Sequence, residues 1–205
     1  MSFSRLSSIS SLLILAAILL GTPTAFAANI VVNGGFEDTT TFPGQPSDIR
    51  LPVGWTLSDP ELPAGGTAVQ CAAGVAHTGS CAAYFANVGL LGSLSQVLST
   101  TPGLNYVLTF YLQNQDQPNQ FIVNWGGAEV LHLTNIPDQP YTLFTLDLSA
   151  SSASTKLTFS GLNTPTATFL DDVSVEARNV VPEPSTWFLG LAGFAAFAAY
   201  KFRQR

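Results

Sequence analysis

Tyr106-Val107-Leu108-Thr109-Phe110-Tyr111-Leu112 alternates without a break: Tyr106, Leu108, Phe110 and Leu112 share one parity, and Val107, Thr109 and Tyr111 take the other. Side chains of an extended strand alternate between two faces, so this period of two reads as a β-strand with one face in a core. A polar stretch containing Pro118 and Asn119 follows, and then Phe121-Ile122-Val123-Asn124-Trp125. The pair reads as a hairpin, with Gly126-Gly127 as the next tight turn and Glu129 to Leu133 as the returning strand. Working outward, strands are expected at Tyr141 to Leu148, Lys156 to Ser160 and Thr166 to Val175, and upstream at Ile30 to Val32, Cys81 to Asn87 and Leu94 to Leu98. No amphipathic helix of usable length and no internal repeat interrupts them. Turn signals at intervals of roughly 8–12 residues place the chain among β-sandwiches.

Only 10% of the 205 residues are charged, against about 25% in an average soluble protein, so part of the chain is not an ordinary soluble domain. The net charge of -6, with seven Lys and Arg in all, excludes nucleic acid as a partner, because phosphate neutralisation needs a basic patch. Between positions 28 and 179 only Arg50, Lys156 and Arg178 oppose twelve Asp and Glu, a net charge of -9. That acidic stretch is long enough to bury a core of its own.

The two ends account for much of the remaining apolar excess. Arg5 precedes an uninterrupted apolar run from Leu12 to Leu20, broken by Gly21 and Pro23, and Ala25-Phe26-Ala27 supplies small residues for a cut after Ala27. Residues 1–27 therefore read as a secretory signal peptide, the run being shorter than the ~20 apolar residues that span a bilayer. At the other end Val181-Pro182-Glu183-Pro184 precedes an uncharged run from Trp187 to Tyr200, and Lys201, Arg203 and Arg205 follow it. Basic residues after an apolar segment stay on the cytoplasmic side, which makes 186–202 a candidate transmembrane helix.

This three-part tail, residues 180–205, resembles the PEP-CTERM sorting signal, also called the ice-binding protein C-terminal domain. The resemblance implies recognition at Val181, Pro182, Glu183 and Pro184 by an exosortase-type transpeptidase. It also implies residence in the inner membrane before processing, and a destination at the cell surface or in an extracellular polysaccharide matrix. No regular Thr-x-Thr array, of the kind that orders water on a flat face, is legible in the rest of the chain.

The signal peptide places Cys71 and Cys81 in an oxidising compartment, and ten residues with Gly74 and Gly79 between them can close a loop, so a disulfide is expected. Four motifs follow one another through residues 28–179. They are Asn33-Gly34-Gly35-Phe36-Glu37, Leu51-Pro52-Val53-Gly54-Trp55, Leu94-Ser95-Gln96-Val97-Leu98 running into the opening strand, and Phe169-Leu170-Asp171-Asp172-Val173-Ser174-Val175. Their order is similar to that of the galactose-binding-like jelly rolls, in particular CenC-type carbohydrate-binding modules. The likeness implies an all-β, jelly-roll β-sandwich of eight or nine strands.

On the last strand Asp171 has the parity of Phe169, Val173 and Val175, which turns a carboxylate toward the apolar side, where it needs a cation or strong donors. With Glu37 ending the first strand nearby, two readings stand. Glu37, Asp171 and Asp172 hold a structural Ca²⁺, as related modules do in this region, or the two aspartates cap strand-end amides. For a sugar site, rings that stack and amides that meet hydroxyls are the side chains to seek. Tyr111, Gln113 and Asn124 would sit together if the hairpin is in register, with Trp55 and Tyr84 as loop or strand-end candidates. Catalytic motifs are missing: the chain has no Gly-x-Ser-x-Gly elbow, no His-Glu-x-x-His helix and no glycine-rich phosphate loop. The expected function is non-catalytic carbohydrate or matrix binding. A purely structural matrix component is the alternative, and a secreted glycan hydrolase a distant third.

Overall fold

A computed structural model describes residues 28–60 and 66–178. The expected signal peptide 1–27 and the sorting tail 180–205, with its candidate helix 186–202, lie outside the described residues. The strands are β1 (Thr39–Thr41), β2 (Ile49–Pro52), β3 (Thr56–Ser58), β4 (Gly66–Cys71), β5 (Cys81–Ala86) and β6 (Gly92–Ser99). They continue with β7 (Asn105–Asn114), β8 (Asn119–Trp125), β9 (Ala128–Thr134), β10 (Gln139–Ser149), β11 (Ser154–Asn163) and β12 (Thr168–Ala177). The architecture is all-β. A seven-stranded sheet in the order β1-β2-β4-β5-β12-β7-β10 faces a five-stranded sheet in the order β3-β6-β11-β8-β9, and the paired strands in both are antiparallel.

Twelve strands among the described residues exceed the eight or nine expected: β1, β2 and β3, each only three or four residues long, and β4 are additional to those expected. The expected strand at Ile30 to Val32 is absent. Ile30 instead gives a single amide hydrogen bond to the Val175 carbonyl, at 2.9 Å.

The opening heptapeptide behaves as its alternation requires. Tyr106, Leu108, Phe110 and Leu112 of β7 are buried, while Val107, Thr109 and Tyr111 are half-buried on the outer face. The hairpin of β7 with β8 does not form. β7 pairs with β10 and β12, and β8 pairs with β9 and β11 in the opposite sheet. The physical reason is that both strands carry an apolar face, and two such faces bury more surface stacked across the sandwich than side by side. Phe110 and Phe121 accordingly meet across the core at 6.0 Å. The crossover is held by buried amides: Asn114 and Asn119 each donate from Nδ2 to the carbonyls of Asp116 and Ile136. The β8–β9 hairpin does form. Gly126 and Gly127 take φ of 60° and 89°, the left-handed pair that a two-residue turn matched to strand twist demands.

Cys71 and Cys81 form a disulfide and lie opposite each other on β4 and β5. Closing this ten-residue loop contributes roughly 2–3 kcal/mol by the chain-entropy estimate. It also tethers both ends of residues 72–80.

Register produces one arrangement that linear reading does not. Thr56-Leu57-Ser58, Ser93-Leu94-Ser95 and Thr158-Phe159-Ser160 lie on adjacent strands β3, β6 and β11, with Thr56 and Thr158 opposite Ser95 and with Ser58 and Ser160 opposite Ser93. Three Ser/Thr pairs thus share the outer face of the five-stranded sheet, although the chain shows no regular Thr-x-Thr repeat.

Candidate functional site

Residues directly opposite in antiparallel strands share a face. On the outer face of the seven-stranded sheet this rule sets Tyr84 of β5, Phe169 of β12 and Gln113 of β7 in one row. The next row holds Asp171 of β12, Tyr111 of β7 and Leu143 of β10. The rings of Tyr84 and Phe169 are 6.4 Å apart and tilted by 47°. The disulfide-closed loop lies over the second row, and its His77 ring stacks on Tyr111 at 3.7 Å and 17°. Tyr141 meets the same imidazole at 5.3 Å and donates its hydroxyl to the Val75 carbonyl. Burial pushes the Tyr141 phenol far up, and Asp171 and Asp172 add to the effect.

Asp171 is fully buried, yet it does not belong to the hydrophobic core. Simple alternation puts it with Val173 and Val175, but a bulge intervenes between the pairs Asp171–Tyr111 and Ser174–Thr109, and Asp172 adopts φ of 50°. Val173 and Val175 therefore enter the core, while Phe169 and Asp171 face outward, Asp171 beneath the 72–80 loop. Asp171 Oδ2 accepts the amides of His77 at 2.8 Å and Thr78 at 3.2 Å, and Oδ1 accepts the amide of Asp172 at 2.8 Å. Desolvation raises its carboxyl to about 6, against the lowering effect of these amides. Asp172 meets His77 Nδ1 at 2.6 Å through Oδ2 and accepts the Thr78 hydroxyl at 2.6 Å through Oδ1.

Glu37 lies in a loop rather than at a strand end, and its Oε1 accepts the amides of Ser80 and Cys81, both at 2.8 Å. Each of the three carboxylates proposed for calcium thus receives donors from the 72–81 segment. Donor hydrogens aimed at both oxygens of Asp171 repel a cation, and among the described residues no group of three or more His, Cys, Asp or Glu side chains is placed to hold a metal. In this arrangement Glu37 and Asp171 cap amides, while Asp172 meets the Thr78 hydroxyl and the His77 imidazole. We expect saturating calcium, and equally a chelator, to leave the thermal unfolding midpoint unchanged. A calcium-dependent rise of several degrees would restore the metal reading.

Of the five residues proposed for sugar contact, the fold brings together Tyr84, Gln113 and Tyr111. Asn124 lies on the opposite sheet, paired with Thr158 and Glu129, because the hairpin that would have aligned it with Tyr111 does not form. Trp55 is buried against Phe36 and Phe159, with its indole nitrogen donating to the Asn33 carbonyl, so its ring is a core group. His77, Tyr141 and Phe169 belong to the site and were not proposed for it. No local pattern marks them: His77 reaches Asp171 across 94 positions of sequence.

The two-sheet antiparallel sandwich is a fold shared with solved structures, carbohydrate-binding modules among them. The solved structures agree on that fold. A TmCBM61 structure in complex with β-1,4-galactotriose is 18% identical, with a TM-score of 0.54 over 74% of this chain and 100% of that one. The K3 cleaved adhesin domain of Lys-gingipain from Porphyromonas gingivalis W83 is 15% identical, with a TM-score of 0.52 over 74% and 97%. A protein from Bacteroides thetaiotaomicron VPI-5482 is 12% identical, with a TM-score of 0.53 over 74% and 100%. At these identities the likeness establishes the fold alone. Residues 180–205 match the PEP-CTERM protein-sorting motif, which marks an exported protein anchored by its C-terminal tail. No curated protein matches the chain.

Proposed function

We propose that this protein is a non-catalytic carbohydrate-binding component of the cell surface or extracellular matrix, delivered there by an exosortase-type transpeptidase acting at Val181 to Pro184. The observation that carries the reading is the row Tyr84–Phe169–Gln113, which sets the half-buried Tyr84 ring and the Gln113 amide on one sheet face with the buried Phe169 between them. Stacking of a sugar on a ring with an amide meeting its hydroxyls is the chemistry such a row supports. In the sorting step the apolar tail holds the protein in the inner membrane until the motif is cut.

Affinity electrophoresis in neutral polysaccharides tests the binding. We expect Tyr84→Ala to weaken retention at least tenfold and Asn124→Ala, on the opposite sheet, to leave it unchanged. Equal retention of wild type and Tyr84→Ala would remove this face from the function. Deleting 181–205 should release the protein from the membrane fraction, and an unchanged distribution would refute the sorting step.

A structural role without sugar binding has one observation in its favour. His77 covers a face of Tyr111, so that ring serves the fold rather than a ligand. Silence across a broad set of glycans would select this second reading.

A further inference from the structure

The candidate face is surrounded by carboxylates. Asp48 accepts a hydrogen bond at 3.2 Å from Gln70, whose partner in the register is Ala82, two residues from Tyr84 on the same face of β5. Asp59 accepts from Asn87 at 2.7 Å and from the amide of Thr67, which neighbours Ala68, the residue opposite Tyr84. Asp171 and Asp172 occupy the other end, under and beside His77. Their field reaches the rings. Beyond the effect of burial, Asp59 and Asp48 raise the Tyr84 phenol, and Asp171 and Asp172 raise that of Tyr141.

The cations are either away from these rows or already paired. Residues 28–178 contain three Lys and Arg. Arg50 stands opposite Val69, a residue of the core. Lys156 is on β11, in the other sheet, and Arg178 is paired with Asp147 at 2.5 Å. The remaining basic group on this face, His77, has its Nδ1 against Asp172.

Resting on the carbohydrate reading above, we infer that this face takes polysaccharides free of carboxylate and sulfate groups and turns away polyanionic ones. A uronate polymer laid along Tyr84 and Gln113 would bring like charge toward Asp48, Asp59 and Asp171 with no Lys or Arg side chain at hand. Fixed like charges at an interface are a device for rejecting partners rather than for binding them. The specificity is therefore set by Asp48 and Asp59 at the rim, while the rings and Gln113 supply attraction.

The test pairs several uronate polysaccharides with their carboxyl-reduced forms, which differ only in that charge, and adds neutral galactan and glucan. Binding of the purified full-length protein is measured at low and high ionic strength. The reduced member of each bound pair should be retained at least tenfold more tightly at low salt. The gap should narrow at high salt, where fixed charges are screened. Asp48→Asn should narrow it at low salt without changing retention by the neutral polymers or the unfolding midpoint. A uronate form bound as tightly as its reduced partner at low salt would overturn the inference and leave the carbohydrate reading intact. Retention by no polymer, neutral ones included, would overturn the carbohydrate reading and this inference with it.

Discussion

Gly34→Ala should destabilise the protein by roughly 3 kcal/mol or more, whereas Gly35→Ala, one residue away, should cost less than about 1 kcal/mol. A Cβ built on Gly34 falls 2.0 Å from the Val173 carbonyl oxygen, a backbone atom of β12 that cannot swing aside. The contact is that close because the two backbones pair: the Val173 amide donates to the Gly34 carbonyl at 2.9 Å. A Cβ on Gly35 meets nothing nearer than an Asp172 oxygen at 3.6 Å, an ordinary van der Waals separation. Denaturant unfolding of both variants decides the matter. For a domain of this size the Gly34 variant should lose roughly 6–12 °C in its melting midpoint. Similar losses from the two substitutions would refute the close-packing account.

Asp171→Ala should cost roughly 3 kcal/mol or more, because it leaves the amides of His77, Thr78 and Asp172 without an acceptor beneath a covered surface. It should also free the 72–80 loop, so that the His77–Tyr111 stack is lost and hydrogen exchange of the His77 and Thr78 amides accelerates. The same residue gives stability a pH dependence of defined sign. Its folded-state carboxyl, raised from 3.8 to about 6, binds a proton more tightly than the unfolded chain does. That contribution is fully present below about pH 4 and is lost as pH rises through about 6. Wild type should therefore lose stability relative to Asp171→Asn between pH 4 and pH 7, by at most roughly 3 kcal/mol. A difference between the two that stays flat over this range would show that Asp171 is not desolvated as its burial indicates.

These two positions also show what was legible in the linear chain. Asn33-Gly34-Gly35-Phe36-Glu37 stands out as a motif, and the structure explains four of its five letters. Asn33 takes φ of 54°, and its side-chain amide donates to the carbonyls of Asp38 and Val53. Gly34 lets the backbone reach β12, Phe36 is a fully buried plug against Trp55, and Glu37 caps two amides of the disulfide loop. The motif is a fastening between the start and the end of the domain. The residues stand out along the chain, but their partners lie up to 139 positions away, as Val173 does from Gly34.

The sugar-site candidates divide for a related reason. Tyr111 and Gln113 share a strand, so their common parity is certain from alternation alone. Adding Asn124 required knowing which strands are neighbours. That depends on how two apolar faces bury each other, a choice between stacking and side-by-side pairing that local pattern does not encode. Asp171 fails differently, since one bulge residue reverses the parity of everything before it relative to everything after.

Features that depend on neighbours along the chain are legible in the linear order of residues. This covers the β class, from strict alternation; the core face of β7, from parity; the β8–β9 turn, from two glycines; and the sorting tail, from a motif, an apolar run and basic residues in order. Contacts between distant segments settle which sheet each strand joins, why Asp171 is buried outside the core, and how His77 comes to cover Tyr111. Those outcomes follow from long-range burial and from the donors a folded-back loop brings to a carboxylate. The energy of such contacts is realised only when segments far apart in sequence meet.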